Sequence, residues 1–272
     1  MAEWDIKVLF YGKITEPARI AVIGLEGEEL FDVPYLGFLL QSGDRNILVD
    51  CGISEKFFID GKAWGGFPAV GGHSYVEQAL KKNGVTPDQI EMVLYTHLHN
   101  DHAGACDLFT KAKHVFQKDE WLNLLDPIPV QRARRDYDLS ITPVLAKLDT
   151  IMIDGDLEIV PGVKLYKAPG HSLGSQLITA ETAKGTMVIL GDLCGRLCYF
   201  FPEIDEITDL YGKKHKLKTN VELYGPAIPS TIIYDYFAFY DSVYKAKALA
   251  QGKPEFALPG HEPSLVTEFR KK

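Results

Sequence analysis

Three histidines and an aspartate lie within six residues of one another in this 272-residue chain, in the order HLHNDH. They are His97, His99, Asp101 and His102. Imidazole and carboxylate groups are the ligands that Zn²⁺ and related divalent metals prefer. An extended chain turns His97 and His99 to one side, and a helix that starts next brings Asp101 and His102 towards the same point. The spacing therefore predicts a metal site that can seed two neighbouring ions.

Three further candidate ligands follow glycine at the predicted ends of strands. His171 and His261 each follow a Pro-Gly pair, and Asp192 follows Leu-Gly. Glycine lets the backbone bend after a strand, so each side chain can turn towards a shared centre. One such pair alone would be ordinary turn chemistry. Three of them beside HLHNDH indicate a single metal centre built from seven ligands.

Composition and charge indicate which binding partners and which cellular compartment to expect. The formal net charge is −8, with 46% hydrophobic residues, which disfavours nucleic acid and anionic membranes. No apolar run reaches the ~18 residues of a membrane-spanning helix, and residues 1–6 lack the pattern of a signal peptide. The four cysteines are irregularly spaced, which favours reduced thiols. We expect a cytoplasmic enzyme with no nucleic-acid or membrane partner.

Short apolar runs between glycine turns predict the strands that position these ligands. The runs lie at 6–11, 18–24, 36–41, 47–50, 92–95, 114–117, 150–153, 157–159, 164–167, 175–179, 186–190 and 255–258. A capping box of Ser74 and Glu77 predicts one helix, and a longer helix is predicted from about 232 to 251. Strands that come first and then alternate with helices predict an α/β fold of two sheets with helices outside, as one domain over 1–272.

A glycine-rich segment is a candidate entrance to a substrate pocket. Residues 61–73 contain five glycines, which predicts an irregular, mobile loop. It carries Trp64, Phe67 and His73, which are candidate substrate contacts. For His73, a solvated loop position is the alternative. No role is assigned to His114 or His215.

Aromatic residues are concentrated between residues 199 and 244, where seven tyrosines occur. The predicted helix carries an aromatic stripe, for which core packing is favoured over a substrate wall. The stripe consists of Tyr236, Phe239, Tyr240 and Tyr244. With either interpretation, an apolar or aromatic acyl substrate fits this composition better than a phosphate ester.

The segments HLHNDHAG, PGHS, LGD and PGHE resemble the metal-ligand motifs of the metallo-β-lactamase superfamily. Two stretches, ILVDCG at 47–52 and DGDLEIVPGVKLYKAPGHSLGS at 154–175, are most similar to its N-acyl homoserine lactonase branch. The resemblance covers most of residues 35–192 and again 255–263. It implies the αβ/βα sandwich of that family, two mixed β-sheets flanked by helices, and a quorum-quenching hydrolase that opens lactone rings.

The resemblance also implies a role for each ligand. The ligands of a first metal would be His97, His99 and His171. Those of a second metal would be Asp101, His102 and His261, and Asp192 would bind both metals. A hydroxide between the metals would be the nucleophile, because two cations lower the pKa of water towards neutrality. Asp101 would pass a proton to the leaving alkoxide, and Asp50 would support the ligands from behind. Zn²⁺ is the expected metal, although Mn²⁺, Fe²⁺ or Co²⁺ would accept the same ligands.

One position departs from the lactonase pattern. Lactonases of this branch commonly carry a tyrosine three residues after the bridging aspartate, where it hydrogen-bonds the substrate carbonyl, and Gly195 stands there in this chain. Tyr199 is the nearest tyrosine that could replace it, with core packing as the alternative. We therefore expect the substrate to be a lactone or related cyclic ester that is bulkier or more aromatic than a homoserine lactone.

Some other functions of the same fold are disfavoured, and others stay open. True β-lactamases do not use a bridging aspartate, a flavodiiron oxidoreductase would have glutamate in place of His99, and RNA processing would favour a basic surface. A glyoxalase II-like or other acyl-thioesterase or carboxylesterase stays open, although only eleven residues follow His261, too few for a glutathione-binding domain. A non-catalytic ligand-binding effector also stays open, as does a homodimer.

Overall fold

The computed structural model describes residues 3–218, 224–230 and 232–270. The strands of the first sheet are β1 Asp5–Pro17, β2 Leu30–Ser42, β3 Arg45–Val49, β4 Ala69–Gly71, β5 Met92–Leu94, β6 Lys113–Gln117 and β7 Asp149–Ile153. Those of the second sheet are β8 Leu157–Val160, β9 Val163–Lys167, β10 Gln176–Thr182, β11 Gly185–Gly191 and β14 Ala257–Pro259. The remaining two, β12 Glu206–Thr208 and β13 Lys214–Lys216, pair with each other.

Both sheets mix parallel and antiparallel strands. Their orders are β4-β1-β2-β3-β5-β6-β7 and β14-β11-β10-β9-β8. The long strands β1 and β2 are antiparallel, whereas β3, β5, β6 and β7 are parallel neighbours, as are β11 and β14. Because the carboxyl ends of parallel strands meet at one edge of a sheet, the segments that follow them can build a common site. The predicted α/β sandwich of two mixed sheets is confirmed.

Helices and turns connect the strands and flank the sheets. The helices are α1 Ala18–Ala21, α2 His73–Lys82, α3 Asn100–Ala103, α4 Lys118–Leu125, α5 Pro129–Arg134, α6 Thr142–Leu145, α7 Leu197–Phe200 and α8 Tyr236–Leu249. Most are a single turn or two. Among the described residues, no helix combines the length and the apolar character that a membrane crossing requires.

A buried apolar layer lies between the two sheets. Phe38, Val49 and Leu94 of the first sheet belong to one cluster with Ile178 and Ile189 of the second. The alternate residues of the same strands pack on the outer side, under the helices. Strands buried on both faces read as unbroken apolar runs, which is the pattern that the sequence shows. This double packing holds the strand ends in fixed positions.

The segment 18–24, predicted as a strand, begins instead with the short helix α1. Ala18 and Ala21 are buried, and a spacing of three places both on one helical face, whereas a strand would bury alternate residues. Pro17 precedes them with φ −55°. The prediction overlooked that this proline ends β1.

The predicted capping box of Ser74 and Glu77 is also wrong. The N-cap of helix α2 lies two residues earlier, at Gly72, with φ 104°. A Cβ at Gly72 would lie 2.7 Å from Oε2 of Glu55, so only glycine permits this approach. The same oxygen accepts a hydrogen bond of 3.0 Å from the His73 backbone N–H. A carboxylate from a distant segment therefore caps the helix.

The segment 61–73 is more regular than predicted. It contains a 3₁₀ turn at Trp64–Gly66 and the strand β4, in which Gly71 pairs with Gly12 of β1. Gly65 and Gly66 have φ 65° and 74°. Here glycine provides left-handed turn geometry.

The aromatic stripe on α8 does not pack in the core as predicted. Tyr236 and Tyr244 are 55% and 60% exposed. The buried face of the helix consists of Phe239, Ser242, Val243 and Ala246. Of the predicted stripe, only Phe239 belongs to that face, because the side of the helix that packs on the protein core differs from the side that carries the three tyrosines.

His73 lies between two carboxylates. Its Nδ1 is 2.5 Å from Oε2 of Glu55, and its Nε2 is 2.6 Å from Oδ1 of Asp107. Burial lowers the pKa of His73, but the hydrogen bonds to the two carboxylates outweigh it and raise the pKa above its ordinary value. The His73 backbone N–H, above all, lowers the pKa of Glu55 to about 2. Glu55 therefore stays ionised across the neutral range.

We predict that the contribution of His73 to stability falls as the pH rises. A histidine whose pKa is raised on folding stabilises the protein fully below its unfolded pKa of about 6.5, and this is lost as the pH rises through the folded pKa. His73→Gln should lower the free energy of unfolding by roughly 0.5–1 kcal/mol at about pH 6, and by less at about pH 9.5. Urea denaturation measures both values, and an equal loss at the two pH values would contradict the prediction.

Candidate metal centre

The seven predicted ligands meet at the edge where the strand ends converge. His97 and His99 follow β5, and Asp101 and His102 lie in the first turn of α3. The other three are His171 between β9 and β10, Asp192 after β11, and His261 after β14. The histidines that follow β5 are buried, as is His171. The structure thus brings together side chains from opposite ends of the sequence.

Three histidines form a first group. The ligand atoms of His97, His99 and His171 all lie within 4.8 Å of one another. His171 Nε2 is 3.0 Å from His99 Nδ1, and the rings of His97 and His171 stand perpendicular at a centroid distance of 4.7 Å. Three imidazoles in this arrangement offer three nitrogen ligands to one ion.

Asp101, His102 and His261 form a second group. Asp101 Oδ2 is 3.5 Å from His261 Nε2 and 3.8 Å from His102 Nε2. Asp192 lies between the two groups. Its Oδ1 is 3.1 Å from His261 Nε2 and 3.4 Å from His102 Nε2, and its Oδ2 is 3.2 Å from His261 Nε2 and 3.7 Å from His171 Nε2. One carboxylate therefore faces both sets of histidines, as a bridging ligand would.

The hydrogen bonding of this cluster fits bound cations. Nε2 of His97, Nε2 of His102 and Oδ1 of Asp192 are buried and have no hydrogen-bond partner among the described residues. Buried polar atoms in proteins are almost always paired. Unpaired nitrogen and carboxylate oxygen atoms gathered in one cluster are the kind of ligand atoms that divalent metal ions bind.

The pKa values in the cluster shift in both directions. Burial would lower the pKa values of His102 and His261, but the neighbouring carboxylates outweigh it and raise both, so a bound cation would displace a proton there. Burial, and then the neighbouring imidazoles, hold the pKa values of His97 and His99 well below the ordinary value, so both rings are neutral, as ligands must be. Burial would raise the pKa of Asp192, but His261 and His102 outweigh it and hold the pKa well below its usual range. The bridging position therefore carries a carboxylate anion.

Hydrogen bonds from the far side of each ring aim the ligand nitrogens. His171 Nδ1 donates to the Ile232 carbonyl and His261 Nδ1 to the Pro34 carbonyl, both at 2.7 Å. His102 Nδ1 donates to Asp50 Oδ2 at 2.8 Å, which is the contact that the predicted support by Asp50 requires. Once Nδ1 carries the proton, Nε2 is left with its lone pair towards the centre.

Glu120 is a buried carboxylate that the sequence did not reveal. It accepts hydrogen bonds from the Leu98 and Gly174 N–H groups at 2.9 and 3.0 Å. The Ser172 and Tyr137 hydroxyls donate to it at 2.6 and 2.8 Å. It thus ties the HLHNDH segment to the PGHS segment. A lone glutamate in a short helix gives no local signal of such a role.

A cavity of about 410 Å³ opens beside the cluster, a volume that suits a small organic molecule. Trp64 and Phe67 line it, as predicted, together with Val33 and Ile232. Charged groups that no sequence motif marks also line it. They are Glu16, Arg134, Asp136 and Arg196.

Two predicted substrate contacts lie elsewhere. Tyr199 is 3% exposed, and its hydroxyl oxygen accepts a hydrogen bond of 2.9 Å from the Ile23 N–H. It packs in the core because the single turn of α7 directs it inwards, so its predicted catalytic and substrate-binding roles are corrected. His73 is held by Glu55 and Asp107 and does not line the cavity, which corrects its predicted substrate contact.

The tyrosine-rich segment 199–244 contributes little to the cavity. Of its described residues, only Ser230 and Ile232 line the wall, and no tyrosine does. Positions 219–223 and 231 lie outside the described residues. The four cysteines are free and buried, in agreement with the prediction of unpaired thiols.

Comparison with known proteins gives one family. Residues 32–261 match the Metallo-beta-lactamase superfamily. The chain is 31% identical over 172 residues to the N-acyl homoserine lactonase AiiA of Bacillus thuringiensis subsp. kurstaki, covering 60% of this chain and 64% of that relative. It is 30% identical over 172 residues to an N-acyl homoserine lactonase of a Bacillus species, with the same coverage. The alignments thus span less than two thirds of these relatives.

Solved structures show the same fold. An N-acyl homoserine lactone hydrolase with N-hexanoyl-L-homoserine bound at its catalytic metal centre aligns with a TM-score of 0.70 and 22% identity, covering 96% of this chain and 94% of that chain. The dizinc quorum-quenching lactonase AidC aligns with a TM-score of 0.67 and 16% identity, covering 96% and 88%.

We predict that the protein grown with added zinc holds close to two metal ions per chain. Asp192→Ala should reduce this to fewer than one, because a carboxylate shared by two ions supports both. Asp126→Ala, at an exposed side chain, is the matched control and should keep both ions. Elemental analysis of the purified proteins measures the content. Two ions retained by Asp192→Ala would rule out a bridging role.

Proposed function

The chain belongs to the metallo-β-lactamase superfamily, and we propose that it is a dinuclear metal-dependent hydrolase that opens the ring of a lactone or closely related cyclic ester. The observation that carries the proposal is the position of Asp192 between two groups of candidate ligand side chains, several of whose atoms have no hydrogen-bond partner among the described residues, beside a cavity of small-molecule size. The lactonase names of relatives that align with 60% of the chain support it.

The seven side chains would hold two divalent cations, for which we propose Zn²⁺. Nitrogen and carboxylate ligands suit it, and the related structure AidC is dizinc. The chemistry that two such cations supply when bound is polarisation of an ester carbonyl and acidification of a water molecule.

Asp101 is the candidate for proton transfer. It lines the cavity and is 8% exposed, so its carboxylate meets both the metal ligands and the space for substrate. A carboxylate there can take a proton from the attacking water and return it to the alkoxide that leaves the opened ring. Asp50 and Glu120 hold the segment around Asp101 in position through their hydrogen bonds.

Apolar side chains favour a substrate with a hydrocarbon or aromatic part. The Trp64 and Phe67 rings line the cavity with Val33 and Ile232. Burying an apolar group against them removes its surface from water, which favours binding. These contacts support an apolar or aromatic lactone, with the reacting ring at Asp101 and Asp192.

Three further predictions concern the cellular location, the number of domains and the oligomeric state. The four free and buried cysteines support a cytoplasmic location, where thiols stay reduced. Core residues from Leu9 to Ala257 belong to one cluster, which supports a single domain over 1–272. A homodimer stays a prediction.

The reaction is tested by a hydrolysis screen of the metal-loaded protein. Acyl homoserine lactones, aromatic lactones, aryl esters and acyl thioesters are compared at one concentration, and acid release is followed by titration. We expect lactones to be opened fastest, with aromatic or long-chain lactones preferred. Rapid cleavage of thioesters with lactones untouched would instead indicate a thioesterase. Binding without hydrolysis would indicate an effector protein.

The proton-transfer role is tested by Asp101→Asn. The amide keeps the shape and one oxygen ligand but cannot accept the proton, so kcat should fall by about 10²- to 10⁴-fold, with most of the metal retained. Lactone turnover and elemental analysis on the same sample separate the two effects. Asp126→Asn is the control. Near-normal kcat in Asp101→Asn with full metal content would contradict the role.

A further inference from the structure

Arg196 is a buried cation with no anionic partner in the part of the chain that the structure describes. The residue is 8% exposed and lines the cavity beside the metal centre. Within the described ranges, its guanidinium forms no ion pair within 4.0 Å, and its Nε is buried with no hydrogen-bond partner. A guanidinium carries five N–H donors and is always charged. To bury it unpaired is costly, which points to a partner supplied from outside the chain.

The side chain is held against the cavity wall by an aromatic ring. The guanidinium carbon lies 5.4 Å from the centre of the Tyr199 ring, a cation–π distance. Tyr199 is itself fixed, because its hydroxyl oxygen accepts the Ile23 N–H. The guanidinium is therefore positioned in advance, with its N–H groups still available.

Arg196 directly follows Gly195, which lies beside two of the predicted metal ligands. A Cβ at Gly195 would lie 3.4 Å from Cδ2 of His261 and 4.0 Å from Oδ1 of Asp192. Because Gly195 has no side chain, nothing at that position separates the ligands from the guanidinium. A small molecule in the cavity can therefore contact both.

The charges around the cavity favour an anion at Arg196. The other cavity arginine, Arg134, is paired with Asp136 through Nε at 3.2 Å. Glu16 faces the cavity but forms no ion pair with Arg196. Burial raises the pKa of Glu16, and Arg196 and His261 offset this only in part. Four carboxylates and two guanidinium groups line the cavity, so two divalent cations would make its net charge positive.

We propose that Arg196 binds a carboxylate of the substrate, so that the lactone or ester opened here is an anion with its charge away from the reacting ring. This rests on the proposed hydrolase function. A carboxylate matches the planar fork of the guanidinium with two parallel hydrogen bonds. The hydrocarbon between the two ends of the substrate would contact Trp64 and Phe67.

A stability measurement separates this role from a structural one. Because the charge has no partner in the ligand-free protein, Arg196→Met should unfold at the same urea midpoint as the parent protein or a higher one. Arg45→Met is the matched comparison. It breaks the ion pair of Arg45 with Glu91 at 2.8 Å and should lower the midpoint. A clear drop for Arg196→Met would show that the arginine serves the fold and would overturn the proposal.

Substrate preference tests the carboxylate directly. Two γ-lactones with the same alkyl chain, one ending in a carboxylate and one in a methyl group, are compared. We expect kcat/KM to favour the carboxylate by at least about 10-fold, and Arg196→Gln to abolish this preference through KM. The methyl lactone should change by less than about threefold, and Arg196→Lys should keep part of the preference. Arg132→Gln, at a surface arginine paired with Asp126, should keep all of it.

Binding of lactam analogues, which resist hydrolysis, keeps the two proposals distinguishable. By calorimetry on the metal-loaded protein, the carboxylate lactam should bind at least about 10-fold more tightly than the methyl lactam, and Arg196→Gln should remove the difference. If neither lactone is opened, the proposed function fails and lactam binding still decides the role of Arg196. If both lactones are opened and bound equally well, the function stands and the inference about Arg196 is overturned.

Discussion

The site depends on the hydrogen bonds that Asp50 accepts. This carboxylate is 1% exposed and follows β3 with φ 58°, an uncommon conformation for a residue other than glycine. It accepts the Thr96 N–H and hydroxyl at 2.8 and 2.7 Å, and His102 Nδ1 at 2.8 Å. One anion thus fixes both ends of the segment that contains His97 and His99. That segment supplies four of the seven predicted ligands.

A second buried carboxylate joins the two sheets at the same edge. Glu120 accepts N–H groups from Leu98, after β5 of the first sheet, and from Gly174, before β10 of the second. The apolar layer between the sheets sets their separation, and these polar contacts set the relative positions of the segments that follow the strands. A metal centre must be held to within a fraction of an ångström to bind and react selectively. Here that precision would come from Asp50 and Glu120, which lie outside the predicted ligand set.

The sequence predicts which candidate ligands the fold brings together, but it predicts their surroundings poorly. Ligand identity follows from short motifs at strand ends, and these depend on local spacing. Glu120, Arg196 and the capping of α2 by Glu55 depend on contacts between distant segments, for which one sequence carries no local pattern. Tyr199 was misplaced for a related reason, because the rotation of a one-turn helix decides which of its residues faces the cavity. The sequence predicts strands where apolar runs are clear. The strand prediction for 18–24 is wrong because a proline interrupts the pattern there.

We propose that Asp192 lies between two metal ions. Anomalous X-ray diffraction from crystals of the zinc-loaded protein tests this position. Data collected on both sides of the zinc absorption edge show each ion independently of the protein. We expect two anomalous peaks about 3.5–4 Å apart, one beside His97, His99 and His171 and the other beside His102 and His261, with the Asp192 carboxylate between them. A single peak, or two peaks that do not share Asp192, would contradict it.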